Sequence, residues 1–315
     1  MISTNISKLL KSSEPLFFLA PLAGYTDLPF RSVVKKFGCD LTFSEMINVN
    51  AIAYNNEKTK KMMIKSPIEK PYFIQIAANN IENTIKAVEI INENDEINGI
   101  DINLGCPVQK ARKSGYGGVL LKDENKDKLK EIVSTIIKTS KKPVSAKIRL
   151  GFDKSVAVDR AKLLQDLGIK FLTVHGRTVK QMYKGNSNYE EIKKTVEAVS
   201  IPVIANGDIT DYEKAKQVLD FTGAKGVAIG RGAIGKPWIF LEMKQNGVIT
   251  PNQKKEVLLE HFNQMINWYG EYGAILFRKH LHQYSKGISK AGEFRNEINK
   301  ETNPDKIREL IEEYF

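Results

Sequence analysis

The sequence predicts an α/β chain: a (β/α)8 (TIM) barrel followed by a small all-helical C-terminal domain. Three observations predict it. Eight short apolar runs recur at intervals of about 25 to 45 residues. Segments with helical periodicity lie between them. Polar residues and glycines follow directly after the runs, where a barrel of parallel strands carries its chemistry.

The runs occupy residues 16–19, 41–43, 72–76, 99–102, 144–148, 171–174, 202–205 and 226–229. They are nearly continuous in apolar, β-branched or aromatic side chains, as expected of strands covered on both faces. Between them, residues 80–91, 125–137, 156–167 and 189–199 repeat their apolar positions with a helical period. Residues 213–219 do the same, and Asp211 is placed to cap that helix. Alternating strands and helices imply a parallel sheet. Eight units in roughly 230 residues fit a closed barrel better than an open sheet. The residues after the runs include Pro21–Gly24, Asn103–Pro107, His175–Arg177, Asn206–Asp208 and Gly230–Gly232. Beyond Gln245-Asn246-Gly247 the strand pattern stops, and residues 256–270, 271–286 and 305–314 read as helices. The expected division is a barrel over 1–245 and a helical domain over 246–315.

Composition narrows the function classes. The chain has 315 residues, 42% of them hydrophobic, enough for a sizeable core. No apolar run approaches the roughly 20 residues that span a bilayer, and no secretion signal is evident. Two cysteines, Cys39 and Cys106, exclude a disulfide framework and multi-cysteine metal sites. A reducing, cytoplasmic location without membrane association is expected. The net charge is +11. Residues 101–200 hold 21 basic and 11 acidic side chains, whereas residues 250–315 hold 10 of each. The excess surrounds the middle of the chain, and an acidic partner such as RNA suits it.

Several residues at the expected mouth carry chemistry. Gly230-Arg231-Gly232-Ala-Ile-Gly235 has the spacing of a dinucleotide fingerprint, but no further βαβ unit follows to complete one. In a barrel, exposed amides at this place bind phosphate, and Asn206-Gly207-Asp208 forms the other half. Cys106, in Asn103-Leu-Gly-Cys-Pro, is a proton donor near neutrality, a nucleophile if a cation lowers its pKa, or a buried small hydrophobe. Lys147 lies inside the fifth run and shares a face with Arg149. It can stabilise a developing anion or form a Schiff base. His175 ends the sixth run and can donate a proton or a hydrogen bond. No His, Asp or Glu spacing resembles a metal site. Lys110, Arg112 and Lys113 follow the cysteine with Tyr116 and three glycines, a composition suited to a nucleic-acid backbone and a splayed base. Arg278, His282 and Lys286 stand four apart and make one basic stripe on a helix.

Together, Ala20-Pro-Leu-Ala-Gly24-Tyr-Thr-Asp27, Asn103-Leu-Gly-Cys106-Pro107, His175-Gly-Arg177-Thr178, Asn206-Gly-Asp208 and Gly230-Arg231 resemble the tRNA-dihydrouridine synthases, from about residue 16 to 290. The cysteine loop and Arg278-Lys279-His280 look most like the bacterial B-type branch. Leu22, Tyr116, Gly118 and Gln283 depart from residues common in the family or branch. The resemblance implies an FMN-bearing barrel and a helical tRNA-binding domain. NADPH reduces FMN, FMN delivers hydride to C6 of a D-loop uracil, and Cys106 protonates C5.

By position, the resemblance places Pro21, Leu22 and Ala23 along the flavin and Gln75 at its ring. Lys147 and His175 fall at the flavin's polar edge. Asn206, Gly207, Asp208, Gly230 and Arg231 fall at its phosphate. Asn103 becomes a uracil contact and Arg177 a substrate contact. Lys110, Arg112, Lys113, Arg278, Lys279, His282 and Lys286 are expected to meet RNA. An enzyme gripping one large tRNA needs no second subunit, so a monomer is expected. The alternative is another flavin barrel reducing a small-molecule alkene, of dihydroorotate or ene-reductase type.

Overall fold

The computed structural model describes residues 2–245 and 247–315. Met1 and Asn246, at the start of the two expected domains, lie outside the described residues. Among the described residues nine parallel strands form one sheet: β1 (Leu16–Leu19), β2 (Thr42–Phe43), β3 (Ile47–Asn48), β4 (Tyr72–Ala77), β5 (Gly99–Leu104), β6 (Val144–Arg149), β7 (Leu172–His175), β8 (Val203–Asn206) and β9 (Gly226–Ile229). Eight of them are the eight apolar runs, and β3 is a two-residue addition on β4.

The helices are α1 (Ile2–Leu10), α2 (Leu28–Lys36), α3 (Val49–Ala53), α4 (Glu57–Met63), α5 (Ile81–Asn92), α6 (Gln109–Lys113), α7 (Lys126–Thr139), α8 (Ala157–Asp166), α9 (Tyr189–Ala198), α10 (Tyr212–Thr222), α11 (Ile239–Gln245), α12 (Pro251–Tyr269), α13 (Tyr272–Tyr284), α14 (Ala291–Lys300) and α15 (Pro304–Tyr314). Asp211 caps α10 as its spacing predicts. Neither α1 nor α14 is apparent in the sequence pattern. Helix α12 also begins earlier than expected, because Thr250 and Gln253 form a reciprocal cap around Pro251.

The strand order β1-β9-β8-β7-β6-β5-β4-β2 closes through β1. Phe18 bridges Leu41, and the Leu19 amide donates to the Leu41 carbonyl at 3.1 Å. Register then stacks the inward side chains in layers. Gln75, Asp101 and Ser145 are level, and Asn103, Lys147 and Thr173 lie one layer above. At the opposite end Phe18, Phe43, Phe73 and Phe171 fill the barrel, three pairs edge to face and Phe73–Phe171 tilted, with centroids 5.7–6.2 Å apart. Ile6 of α1 packs beneath this plug. Gly99 leaves room for it, since a Cβ there would lie 2.2 Å from the Phe73 ring.

The C-terminal helices share their own core, with Leu258, Phe262, Phe277, Leu281, Phe294 and Ile311 at its centre. That core recruits Val33 of α2 and Trp238 from the barrel. Phe30 of α2 packs against the imidazoles of His261 and His280, at 5.3 and 5.4 Å. The helices therefore sit beside the strand ends that form the mouth. No described helix is long and apolar enough to cross a membrane.

Candidate active site

A cavity of about 880 Å³ opens at the C-terminal ends of the strands. Its size falls within the range of small-molecule and cofactor sites, roughly 300–1,000 Å³. Pro21, Leu22 and Ala23 form one wall. Their loop is held from within: the Leu22 amide donates to Thr26 Oγ1 at 3.0 Å, and Asp27 caps α2 by accepting from the Phe30 amide at 3.2 Å.

The opposite wall carries Asn103 and Cys106. Asn103 Oδ1 accepts from the amides of Gly105 at 3.2 Å and Cys106 at 2.9 Å, turning the loop so that the thiol reaches the cavity. The Gly118 amide then donates to the Cys106 carbonyl at 3.1 Å. This wrap needs Gly117, where a Cβ would lie 2.9 Å from that of Cys106. Burial raises the thiol pKa, although the Val108 amide, Arg149 and Lys147 oppose the shift. The thiol stays protonated at neutral pH and is suited to giving a proton rather than attacking.

Lys147 and His175 project from neighbouring strands into the same space. Burial, reinforced by Arg149, brings Lys147 down to about 8, while Asp101 and Cys106 oppose the fall. Burial, followed by Lys147 and Arg149, keeps His175 neutral. Asp101, below them, is pushed up to about 6 by burial against hydrogen bonds from Gln75 and Ser145 and the charge of Lys147. A cation at the edge of a dry cavity stabilises negative charge that develops there.

Asn206, Gly207, Asp208, Gly230 and Arg231 close the third side. Asn206 Nδ2 donates to the Ala228 carbonyl at 2.7 Å and ties β8 to β9. The amides of Gly207, Asp208, Gly230 and Arg231 donate to no group among the described residues. A Cβ on Gly230 would lie 3.6 Å from Leu22 and 3.7 Å from Ala20, so the glycine keeps this pocket open. Free amides beside Arg231 fit a phosphate. The other fingerprint glycines serve packing. A Cβ on Gly232 would meet the Ile209 carbonyl at 2.4 Å, and one on Gly235 would meet the α13 backbone at Gln283 at 2.6 Å.

One expectation changes on physical grounds. Arg177 is 2% exposed and does not line the cavity. Its guanidinium grips Asp208 in two bonds of 2.8 and 2.7 Å, Ser187 Oγ at 3.0 Å and the Lys184 carbonyl at 3.2 Å. With its donors spent on protein, Arg177 shapes the wall instead of touching substrate. Asp208 lines the cavity; its carboxylate orients Arg177 and lies 3.4 Å from Arg231, which leaves its backbone amide for an anion. Tyr116 is 6% exposed and packs with Ala77, Ala111 and Cys106, so little of its ring is left for a nucleic-acid base.

The basic residues divide. Lys110, Arg112 and Lys113 lie exposed on or beside the short α6, and none pairs with a carboxylate among the described residues. On α13, Arg278 donates to the Glu301 carbonyl and His282 Nε2 meets Asn299 Oδ1 at 3.0 Å, so both hold neighbouring helices. Lys279 lies over the Tyr25 ring at 5.4 Å, and Lys286 reaches the cavity rim.

Sequence reasoning missed Tyr183. It is 47% exposed at the rim, with Arg149 and Arg231 at 5.6 and 4.6 Å from its ring. Arg149 also donates to the carbonyls of Gly105, Thr178 and Met182, joining the cysteine loop to the Tyr183 loop. An aromatic in a long loop after a strand was the available signal.

A family model described as dihydrouridine synthase matches residues 18–315. A probable tRNA-dihydrouridine synthase of Helicobacter pylori is 46% identical over 301 residues, 95% of this chain and 91% of that one. A tRNA-dihydrouridine synthase B of Pasteurella multocida is 40% identical over 309 residues, 95% and 92% of the two chains. Among solved structures, an old yellow enzyme homologue of Zymomonas mobilis superposes with a TM-score of 0.52 at 14% identity. That match covers 76% of this chain and 90% of the other, and it bears on the fold alone.

Proposed function

The chain belongs to the dihydrouridine synthase family, and we propose that its barrel mouth is where a flavin-dependent reaction reduces uridine in tRNA to 5,6-dihydrouridine. One observation carries the assignment of parts: a protonated thiol and a buried lysine share one cavity with unclaimed backbone amides at its far side. The donor set fits FMN. Gly207, Asp208, Gly230 and Arg231 supply amides and a guanidinium for the phosphate; Pro21, Leu22 and Ala23 supply an apolar wall for the ring. When bound, the flavin supplies hydride, and NADPH is its reductant.

The protein's own groups do the rest. Lys147, cationic below about pH 8, holds negative charge at the flavin edge. Neutral His175 adds a hydrogen bond there. Asn103 binds the uracil, which must leave its stack to enter the mouth. With the flavin's hydride supplied at C6, the Cys106 thiol would give its proton to C5, so that the C5–C6 double bond would become single. The resulting thiolate is held by Arg149 and Lys147, whose charges oppose the rise that burial imposes on the thiol pKa. Exposed Lys110, Arg112 and Lys113 grip phosphates at the rim. The target is a D-loop uridine, and one protein chain suffices.

The test uses FMN-loaded protein, NADPH and tRNA lacking modifications, with each nucleoside read by mass spectrometry. One or a few D-loop uridines should gain two hydrogens. C106A should lose roughly 10²–10⁴-fold in rate while binding tRNA as before. Unaltered tRNA after exhaustive incubation, with small alkenes consumed instead, would reverse the substrate assignment.

A further inference from the structure

The polar side chains beneath the mouth form one directed chain. Asp101, on β5, is 1% exposed inside the barrel. Its Oδ2 accepts from Gln75 Nε2 at 2.7 Å, and its Oδ1 accepts from Ser145 Oγ at 2.7 Å. Gln75 Oε1 accepts from Asn103 Nδ2 at 2.8 Å. Asn103 Oδ1 then accepts from the amides of Gly105 and Cys106.

The ends of this chain cannot be reversed. An ionised carboxylate only accepts, and a backbone amide only donates. Both carboxamides between them are therefore confined to one orientation. If Gln75 were flipped, its oxygen would face the carboxylate; if Asn103 were flipped, its NH₂ would face two N–H groups. Each carboxamide keeps one N–H that no other described group claims, and both residues line the cavity. The cavity floor is thus set as donors, complementary to ring carbonyls and ring nitrogens.

We propose that Asp101 is a positioning residue: acting through Gln75 and Asn103, it sets the floor of the cavity as hydrogen-bond donors and holds the Cys106 loop against the reacting base. This rests on the reading of the cavity as the site of FMN and uracil. Asp101 touches neither ligand. Its charge faces Lys147 on β6, whose own neighbours are Arg149, Cys106 and His175.

Wild type, D101L, D101N, Q75L and the D101L/Q75L double variant provide the test. Three quantities are measured: the FMN dissociation constant from flavin fluorescence, the rate at which unmodified tRNA oxidises the NADPH-reduced holoenzyme, and Tm. D101L removes the acceptor that orients Gln75, and should weaken FMN binding and slow transfer by about 10- to 100-fold, with the tRNA dissociation constant unchanged. D101N keeps an oxygen for Gln75 Nε2 and can donate its NH₂ to Ser145 Oγ, so it should stay close to the wild-type rate and Tm. The double variant should be no slower than Q75L, because both substitutions cut one chain. Transfer by D101L at the wild-type rate, or losses that multiply in the double variant, would overturn the proposal. Should D101L not fold, D101A carries the same test: slow transfer with unchanged tRNA affinity supports the chain, and wild-type transfer sinks it. A wild type that binds no FMN or leaves tRNA unreduced sinks the reading of the cavity instead.

Discussion

The two ends of the barrel are built from the same strands and do opposite work. On β4, Phe73 belongs to the aromatic plug and Gln75, two residues on, belongs to the floor of the mouth. Phe171, beside β7, lies in the plug, while His175 ends β7 at the mouth. A step of two residues keeps a side chain inside the barrel and moves it one layer along the axis. Below, every inward group is apolar and interdigitated. Above, the interior is polar and cationic, with Asp101, Cys106, Lys147, Arg149 and His175 all moved off their ordinary values by burial. The plug supplies burial energy, about 1.5–3 kcal/mol for each large side chain removed from water. That reserve lets the mouth keep a lysine and a carboxylate in a dry place.

The comparison breaks first at the plug. Phe73→Ala should cost about 3–5 kcal/mol of stability, read as a fall in Tm or in the denaturation midpoint. The fraction still folded should transfer hydride at close to the normal rate. A folded Phe73→Ala with a collapsed transfer rate would show that the two ends are not separable.

A smaller effect sharpens the mouth side through pH. Lys147 has its pKa lowered from 10.5 to about 8 by burial. Turnover should fall as pH rises through about 8, where the cation is lost. Stability should move the other way: between pH 8 and 10.5 the folded protein has already released this proton while the unfolded chain retains it, so unfolding free energy rises with pH. Lys147→Met should abolish that rise. An alkaline limb unchanged in the variant would remove Lys147 from the reaction.

The smallest effect concerns the rim. Replacing Lys110, Arg112 and Lys113 by alanine should leave Tm unchanged and weaken tRNA binding. It should flatten the plot of log K against log salt by about 0.7–0.9 for each phosphate that is no longer neutralised. An unaltered slope would place the RNA elsewhere on the surface.

Much of this was legible in the sequence because it follows from local pattern. The eight strands announce themselves as apolar runs, and the mouth residues follow them directly. Helix α14 did not, since Phe294 and Ile298 are its only buried side chains, too few to show a period. Arg177 and Tyr116 looked functional for their residue types and neighbours. Whether such a side chain faces a ligand or the protein depends on partners far away in sequence: Asp208 for Arg177, Ala77 for Tyr116.

By itself, the sequence determined the alternation of strands and helices, the position of Cys106 just after one strand and of Lys147 within the next, and the family. These depend on periodicity and on short, ordered residue spacings. Only the tertiary structure decided what those residues experience. Strand register places Asp101 beside Gln75 and Ser145, and docking of α13 against Gly235 brings Lys286 to the cavity. Hydrogen-bond direction, desolvation and pKa arise from groups brought together across the barrel, and no local stretch of chain contains them.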